Sequence, residues 1–325
     1  GRLVEIVNRE LELKVMPELA IEQPITGLLE RDRQRAFIKV QDGCRYRCTF
    51  CIVTLARGEE RSRPVGEIVA EIKQLHSQGI QEVVLTGVHL GGYGSDHGNT
   101  VDLLVEQVLA ETDIPRLRIG SLEPWDLPER FWALFENPRF MPHLHLPLQS
   151  GSDSVLRRMA RRSKTADYRR LIEQARRQVP DFNLTTDLIV GFPGETEQEW
   201  RETLDFVEEI GFGHLHIFAF SPRQGTKAAQ LPDPVSREIK RRRSDALHTL
   251  GLRMKRDILL RYLGRTLPVL VEGSMATGWR GYTPNYLRVN LSGPPDVELC
   301  NQIVNVELTA ICADGDALKG KVVLP

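Results

Sequence analysis

Cysteine is scarce in this chain of 325 residues: there are five, and none precedes Cys44. An odd count with three cysteines crowded into eight residues excludes a disulfide framework and points to metal binding in a reducing compartment. No run of 18 apolar residues occurs, and no charged-then-apolar leader opens the sequence. The chain therefore reads as soluble, unexported and cytoplasmic, with no membrane partner. An excess of one charge is also missing, since 43 Lys and Arg face 44 Asp and Glu for a net charge of −1. A nucleic-acid partner would have to meet a local basic patch. Internal repeats and low-complexity tracts are absent. The composition that remains, 41% hydrophobic and 27% charged, is enough for a large core and more than one domain.

Short apolar runs at Ala36–Val40, Glu82–Thr86, Arg116–Ser121, His143–Leu148, Leu184–Val190 and His214–Phe220 read as strands. Segments with helical spacing lie between them, at Val65–Gln78, Val101–Glu111, Leu127–Phe135, Tyr168–Val179 and Glu195–Ile210. Six β–α alternations predict an α/β fold with a parallel sheet, and about 190 residues are too few for a full eight-stranded barrel of about 250. A partial (β/α)6 barrel is expected, with ligands at the carboxyl ends of its strands. A basic helix is expected from about Val235 to Tyr262. Beyond Gly264, the runs Leu267–Glu272, Tyr286–Leu291, Ile303–Ile311 and Lys321–Leu324, separated by Gly, Pro and Asn, predict a small antiparallel β-barrel. The expected divisions are 1–35 as a connecting segment, 36–234 as the core, 235–262 as the linker helix and 263–325 as the small barrel.

Gly43-Cys44-Arg45-Tyr46-Arg47-Cys48-Thr49-Phe50-Cys51 directly follows the first expected strand. Three thiolates on one compact loop suit a [4Fe–4S] cluster and leave its fourth iron open to a ligand. A closed zinc site would need a fourth ligand, and Cys300 and Cys312 lie in the second expected domain without a CxxC pair. They read as ordinary buried thiols. Three inert thiols would not need this spacing.

This C-x3-C-x-aromatic-C loop after a first strand resembles the signature of the radical S-adenosylmethionine (SAM) superfamily. The resemblance implies that Cys44, Cys48 and Cys51 hold the cluster and that SAM chelates its open iron. Reductive cleavage would then give a 5′-deoxyadenosyl radical. It also implies SAM contacts: Phe50 beside the adenine, Thr86 and Gly87 near the methionyl group, Gln149 and Ser150 near the ribose, Val190 and Gly191 on the adenine-contacting stretch, and Glu123 and Asp187 as further cofactor-binding residues. Ordinary strand-to-helix turns would use the same residue types.

Longer strings, Arg61–Pro64, Ser121–Trp125, His145–Ser152 and Thr185–Thr196, look like the methylthiotransferases of this superfamily. Those enzymes end in an RNA-binding TRAM barrel, which the β-rich stretch after Gly264 resembles. The Ser121–Trp125 string and Gly281–Tyr286 look most like the branch acting on N6-threonylcarbamoyladenosine at tRNA position 37. Other branches act on isopentenyladenosine or on a ribosomal-protein aspartate. A non-catalytic Fe–S RNA-binding protein is a further alternative. The family's N-terminal auxiliary [4Fe–4S] domain has no counterpart here, so a second cluster is expected only in a longer chain. The resemblance implies a tRNA anticodon stem-loop and a reductant such as flavodoxin or ferredoxin as partners. Candidate RNA contacts are Arg61 and Arg63 beside the cysteine loop, Arg157 and Arg158 in the basic run 157–164, and Tyr282 and Tyr286 as base-stacking rings. A second basic run, Lys240–Arg243, lies on the linker helix. Solvated helix faces and core packing explain such residues equally well. His143 and His145 read as structural.

Overall fold

The computed structural model describes residues 35–275, 278–292 and 298–323. The expected connecting segment therefore lies, but for Arg35, outside the described residues. Seven strands build the first unit: β1 (Arg35–Asp42), β2 (Arg61–Ser62), β3 (Glu82–Gly87), β4 (Arg116–Ile119), β5 (His143–His145), β6 (Asn183–Val190) and β7 (His214–Ala219). All but β2 run parallel, in the order β1-β3-β4 and β5-β6-β7, and bridges Leu117↔Phe140 and Ser121↔His145 join the halves. The result is a six-stranded β/α barrel left open between β1 and β7.

Period-two alternation decides which side chains face which way. Along β1, Ala36, Ile38 and Val40 are buried, whereas Phe37 and Lys39 are exposed. The helices among the described residues, α1–α7, are Val53–Arg57, Val65–Ser77, Val101–Glu111, Asp153–Arg158, Thr165–Gln178, Glu197–Ile210 and Arg237–Leu260, and the buried set shares one core with α2, α3, α5, α6 and α7. Helix α2 presents Ile68, Val69, Ile72 and Leu75 as one buried stripe. Helix α6 starts with a Thr196–Glu199 capping box and stops at left-handed Gly211. The helix expected at Leu127–Phe135 is instead a 3₁₀ segment, Glu129–Glu136. Its rings Phe131, Trp132 and Phe135 pack with Phe140 and Phe182, and in a segment of eight residues, too short for a helix to be stable by itself, that packing decides the conformation. No helix among the described residues is long and apolar enough to cross a membrane.

The second unit is a closed barrel of β8 (Thr266–Met275), β9 (Gly278–Tyr282), β10 (Arg288–Ser292), β11 (Ile303–Ile311) and β12 (Leu318–Val322). Every neighbouring pair is antiparallel except β10 and β12, which run parallel. Strand β9 was hidden by its two glycines, and β12 begins three residues before the expected Lys321. Val269, Val271, Val289, Val306, Leu308 and Leu318 form a core separate from that of the first unit.

The small barrel caps the amino end of the parallel strands. Arg116 donates to the carbonyls of Tyr282 (3.0 Å) and Pro268 (2.8 Å), and Arg118 to those of Pro284 (2.7 Å) and Thr283 (3.0 Å). Asn183 donates to the Asn285 carbonyl at 2.8 Å. Arg35 bonds Tyr286 Oη at 2.8 Å and also pairs with Glu272 of β8. At the centre Glu82, 0% exposed, is paired with Arg35 at 2.5 Å and Arg118 at 2.8 Å. Burial alone would raise its pKa, but Arg118 and Arg35 hold the carboxyl below its usual range.

Candidate active site

The loop after β1 is fixed before any cofactor is considered. Gly43 sits at φ +77°, and a Cβ there would lie 1.9 Å from the Glu59 carbonyl oxygen, so only glycine lets the loop fold back on itself. Cys44 N donates to Gly58 O at 3.2 Å, and Thr49 N to Met159 O at 3.0 Å. Thr49 Oγ1 donates to Arg158 O at 2.8 Å, and Ala228 N to Thr49 O at 2.8 Å. The loop is thus stitched to the end of α4 and to the segment after β7.

Cys44, Cys48 and Cys51 are all half-buried, form no disulfide, and line one cavity of about 660 Å³ with Arg45, Arg47, Glu60 and Lys227. Among the described residues no three His, Cys, Asp or Glu groups converge tightly enough for a single metal ion. Three thiols lining one cavity are a donor set that suits an iron–sulfur cluster. Burial pushes the Cys44 thiol up to about 11 and raises Cys48 as well, with Arg161 opposing the rise at Cys48. Iron must therefore displace protons from this site.

A second cavity, about 640 Å³, occupies the lumen of the open barrel. The lumen of a closed β/α barrel is packed solid; this one is lined by polar side chains. Strand register places His145 beside Thr185 and Thr185 beside His214, with Asp187 beside His216. Thr185 Oγ1 lies 3.1 Å from His143 Nε2 and 2.9 Å from His145 Nδ1, and Asp187 lies 3.2 Å from His145 Nε2. Burial drops His214 to about 4 and lowers His143 and His216, so these three imidazoles are neutral near pH 7. At the open edge stand Phe37 and Phe218, 60% and 53% exposed. The floor belongs to the small barrel: Tyr286 stacks on His143 at 4.8 Å and on Tyr282 at 4.9 Å, with Arg118 over its face.

The remaining expected site residues separate into groups. Phe50 packs beside Phe192, Val155 and Met159 near the cysteine loop. Thr86 and Gly87 end β3 half-exposed, and Thr86 Oγ1 donates to the Ile38 carbonyl. Gln149 is buried in a left-handed conformation at φ 72°, bridged to Leu188. Val190 is buried, and Gly191 N donates to Glu195 Oε2 at 2.7 Å. Six of the expected residues have partners or surroundings within the chain. Ser150 is fully buried against Thr203 and does not face the lumen cavity. Glu123 is paired with buried Arg161, whose guanidinium lies 4.4 Å over Trp125. Arg63 is held by Glu71 at 2.7 Å, and Arg158 forms two 2.8 Å bonds to Glu199. Tyr282 and Tyr286 are half-buried between the two barrels and not on an outer RNA face. Arg61, Arg157 and Arg162 remain exposed, whereas Arg243 of the second basic run is buried on Glu195. His143 and His145 are lumen residues, and the repeated His-Leu-His triplets at 143–145 and 214–216 were the sequence signal for a polar lumen. His89, with Glu60 and Asp126, was also missed.

Residues 38–207 match the model of the Radical SAM superfamily. The chain belongs to the radical SAM superfamily. As a radical SAM protein it takes a [4Fe–4S] cluster and SAM, and thiolates of the kind that line the cysteine-loop cavity are the usual ligands of such a cluster. It is similar to a threonylcarbamoyladenosine tRNA methylthiotransferase of Thermotoga maritima, 38% identical over 85% of this chain and 64% of that protein. It is also similar to a tRNA-2-methylthio-N(6)-dimethylallyladenosine synthase of Chloroflexus aurantiacus, 40% identical over 84% of this chain and 60% of that one. The chain thus spans about three fifths of the length of these relatives. In fold it resembles a radical SAM methyltransferase from Kitasatospora setae solved with cobalamin and a [4Fe–4S] cluster. That match has a TM-score of 0.51 and 19% identity over 60% of this chain and 38% of that chain.

Proposed function

We propose that this radical SAM chain acts as a transferase in tRNA methylthiolation, converting N6-threonylcarbamoyladenosine at position 37 to its 2-methylthio derivative. The observation that carries this reading is the pairing of a three-thiol cavity at the carboxyl edge with a separate lumen of uncharged imidazoles over a tyrosine floor. When bound, the cluster and SAM supply one-electron cleavage of SAM. The chain's own residues bind and orient. Phe50, half-buried against Phe192, offers an apolar contact for the adenine of SAM, while Gln149, after β5, and Asp187, in the carboxyl half of β6, suit its polar groups. A flat, neutral heteroaromatic ring suits the lumen, where Tyr286 and His143 stack and His214 and His216 can donate or accept hydrogen bonds. Exposed Arg157 and Arg162 suit phosphates of an anticodon stem-loop, and Arg45, Arg47 and Arg57 an acidic reductant of the flavodoxin or ferredoxin type.

A second reading, isopentenyladenosine as the modified base, is favoured by the 40% identity to the Chloroflexus enzyme, against 38% for the Thermotoga one. Mass spectrometry of tRNA nucleosides from cells with and without the gene separates the two. Loss of the 2-methylthio-threonylcarbamoyl nucleoside is expected. Loss of only the isopentenyl form would establish the second reading, and an unchanged nucleoside profile would rule out both.

A further inference from the structure

Between the cysteine loop and the ends of β3 and β4 lies a buried charge cluster that no cofactor contact explains. The His89 side chain is 1% exposed, with Nδ1 2.5 Å from Glu60 Oε1 and Nε2 2.6 Å from Asp126 Oδ2. Both ring nitrogens face carboxylates. A neutral imidazole can donate to only one of them and would turn a lone pair on the other, so this geometry requires the doubly protonated ring. Burial alone would lower the pKa of His89, but the hydrogen bonds it donates to Asp126 and Glu60 raise it above the usual value.

Both carboxylates also hold the loop that carries the thiols. Asp126 Oδ1 accepts from Tyr46 Oη at 2.7 Å, and the Tyr46 ring meets His89 edge-on at 4.6 Å. Glu60 Oε1 accepts from Arg45 N at 3.1 Å, and Glu60 Oε2 from Ser95 Oγ at 2.8 Å. Arg45 and Tyr46 are the two residues after Cys44, and Glu60 itself lines the thiol cavity. The chain makes room for this contact: a Cβ on Gly92 would lie 2.5 Å from His89 Nδ1 and 2.7 Å from Glu60 Oε1.

We propose that His89, clamped as an imidazolium between Glu60 and Asp126, is a positioning residue that sets the Cys44–Cys48 turn for cluster uptake and offsets negative charge beside the cluster. The inference rests on superfamily membership alone and holds whichever base the enzyme modifies. Two variants of the full chain test it, His89→Gln and the double variant His89→Gln/Glu60→Gln. His89→Gln leaves the two carboxylates with only the exposed Arg45 guanidinium, 3.3 Å from Glu60 and 4.0 Å from Asp126, as a cation, and the double variant restores the parental net charge without restoring the clamp. Iron uptake at limiting iron should weaken roughly tenfold in both, the low end of what losing a partner that orients metal ligands costs. The midpoint potential of the remaining cluster, read by redox titration, should move negative in His89→Gln and return towards the parent in the double variant. Parental uptake in the double variant overturns the positioning role, even if the single variant fails to fold. Equal potentials in the two variants overturn the charge role.

Discussion

At the amino end of the parallel strands Arg35, Glu82, Arg116 and Arg118 are buried, and their polar atoms are spent on one another and on backbone carbonyls of the small barrel. At the carboxyl end three thiols and several arginines stand half-buried or exposed around an open cavity. Both ends are rich in charge, but the first spends its charge internally, whereas the second pairs His89, Arg158 and Arg161 within the chain and leaves the thiols and Arg47 open on the cavity. A buried ion network is costly to disturb because each member depends on the others for its missing water. An open rim is cheap to disturb, and its groups keep bonding capacity for something else. The difference marks one end as foundation and the other as workplace.

The sharpest way to separate the two ends is to alter each and compare activity with stability. Cys44→Ala, Cys48→Ala or Cys51→Ala should abolish iron–sulfur absorbance and reduce 5′-deoxyadenosine formation to background. The melting temperature of the iron-free protein should barely change, because each thiol is only half-buried. Retained iron and SAM cleavage in any one variant would break the cluster assignment.

Glu82→Gln should do the reverse. Removing one member of a buried charge network costs about 3–5 kcal/mol, and here Arg35 and Arg118 both lose their shared partner. A large fall in melting temperature is expected, with iron content per folded chain preserved. A chain ending at residue 263 would go further, since it strips Arg116 and Arg118 of all four carbonyl acceptors as well. Deleting the small barrel should therefore destabilise the first unit and not merely weaken RNA binding. A truncated chain with parental melting temperature would dissolve the contrast between the ends.

Tyr286 lies where the foundation meets the lumen, so it sharpens the comparison further. Tyr286→Phe loses the bond from Arg35, worth about 1 kcal/mol, and keeps the ring stacked on His143. Tyr286→Ala removes the ring too. If the ring forms the floor of the base site, only Tyr286→Ala should raise KM for the RNA. Equal KM changes in both variants would assign Tyr286 to the interface alone.

How much of this was legible in the sequence depends on the range of the interaction. The β–α alternation and the cysteine loop are local patterns, and the partial barrel followed from them. The docking of the small barrel was not legible, because Arg35, Glu82, Arg118 and Tyr286 come from distant segments and none has a local signature. Arg158 and Glu123 looked like surface and ligand groups for the same reason: their partners, Glu199 and Arg161, are 41 and 38 residues away. His89 lies two residues past β3, beside the Thr86–Gly87 pair that was read as a SAM contact, and its partners Glu60 and Asp126 are 29 and 37 residues away. The lumen was half legible, since the two His-Leu-His triplets fall on β5 and β7, the strands that flank β6, and all four imidazoles line the lumen.

The smallest expected effect comes from two neighbours at the carboxyl end, Arg157 and Arg158. Arg157 is exposed, whereas Arg158 makes two bonds to Glu199. Those bonds hold the Glu199 carboxyl at about 2, well below its ordinary 4.5. A carboxyl with a depressed folded pKa contributes stability above its unfolded value and loses it as pH falls towards the folded one. Arg158→Ala should therefore raise the pH of acid unfolding while leaving the salt dependence of tRNA binding unchanged. Arg157→Ala should leave acid unfolding unchanged and reduce the salt slope of tRNA binding by about one, as loss of a single phosphate contact does. If Arg158→Ala instead alters the salt slope and leaves acid unfolding alone, the Glu199 pair is not retained when RNA binds. The carboxyl-end surface would then extend one residue deeper than its exposure indicates.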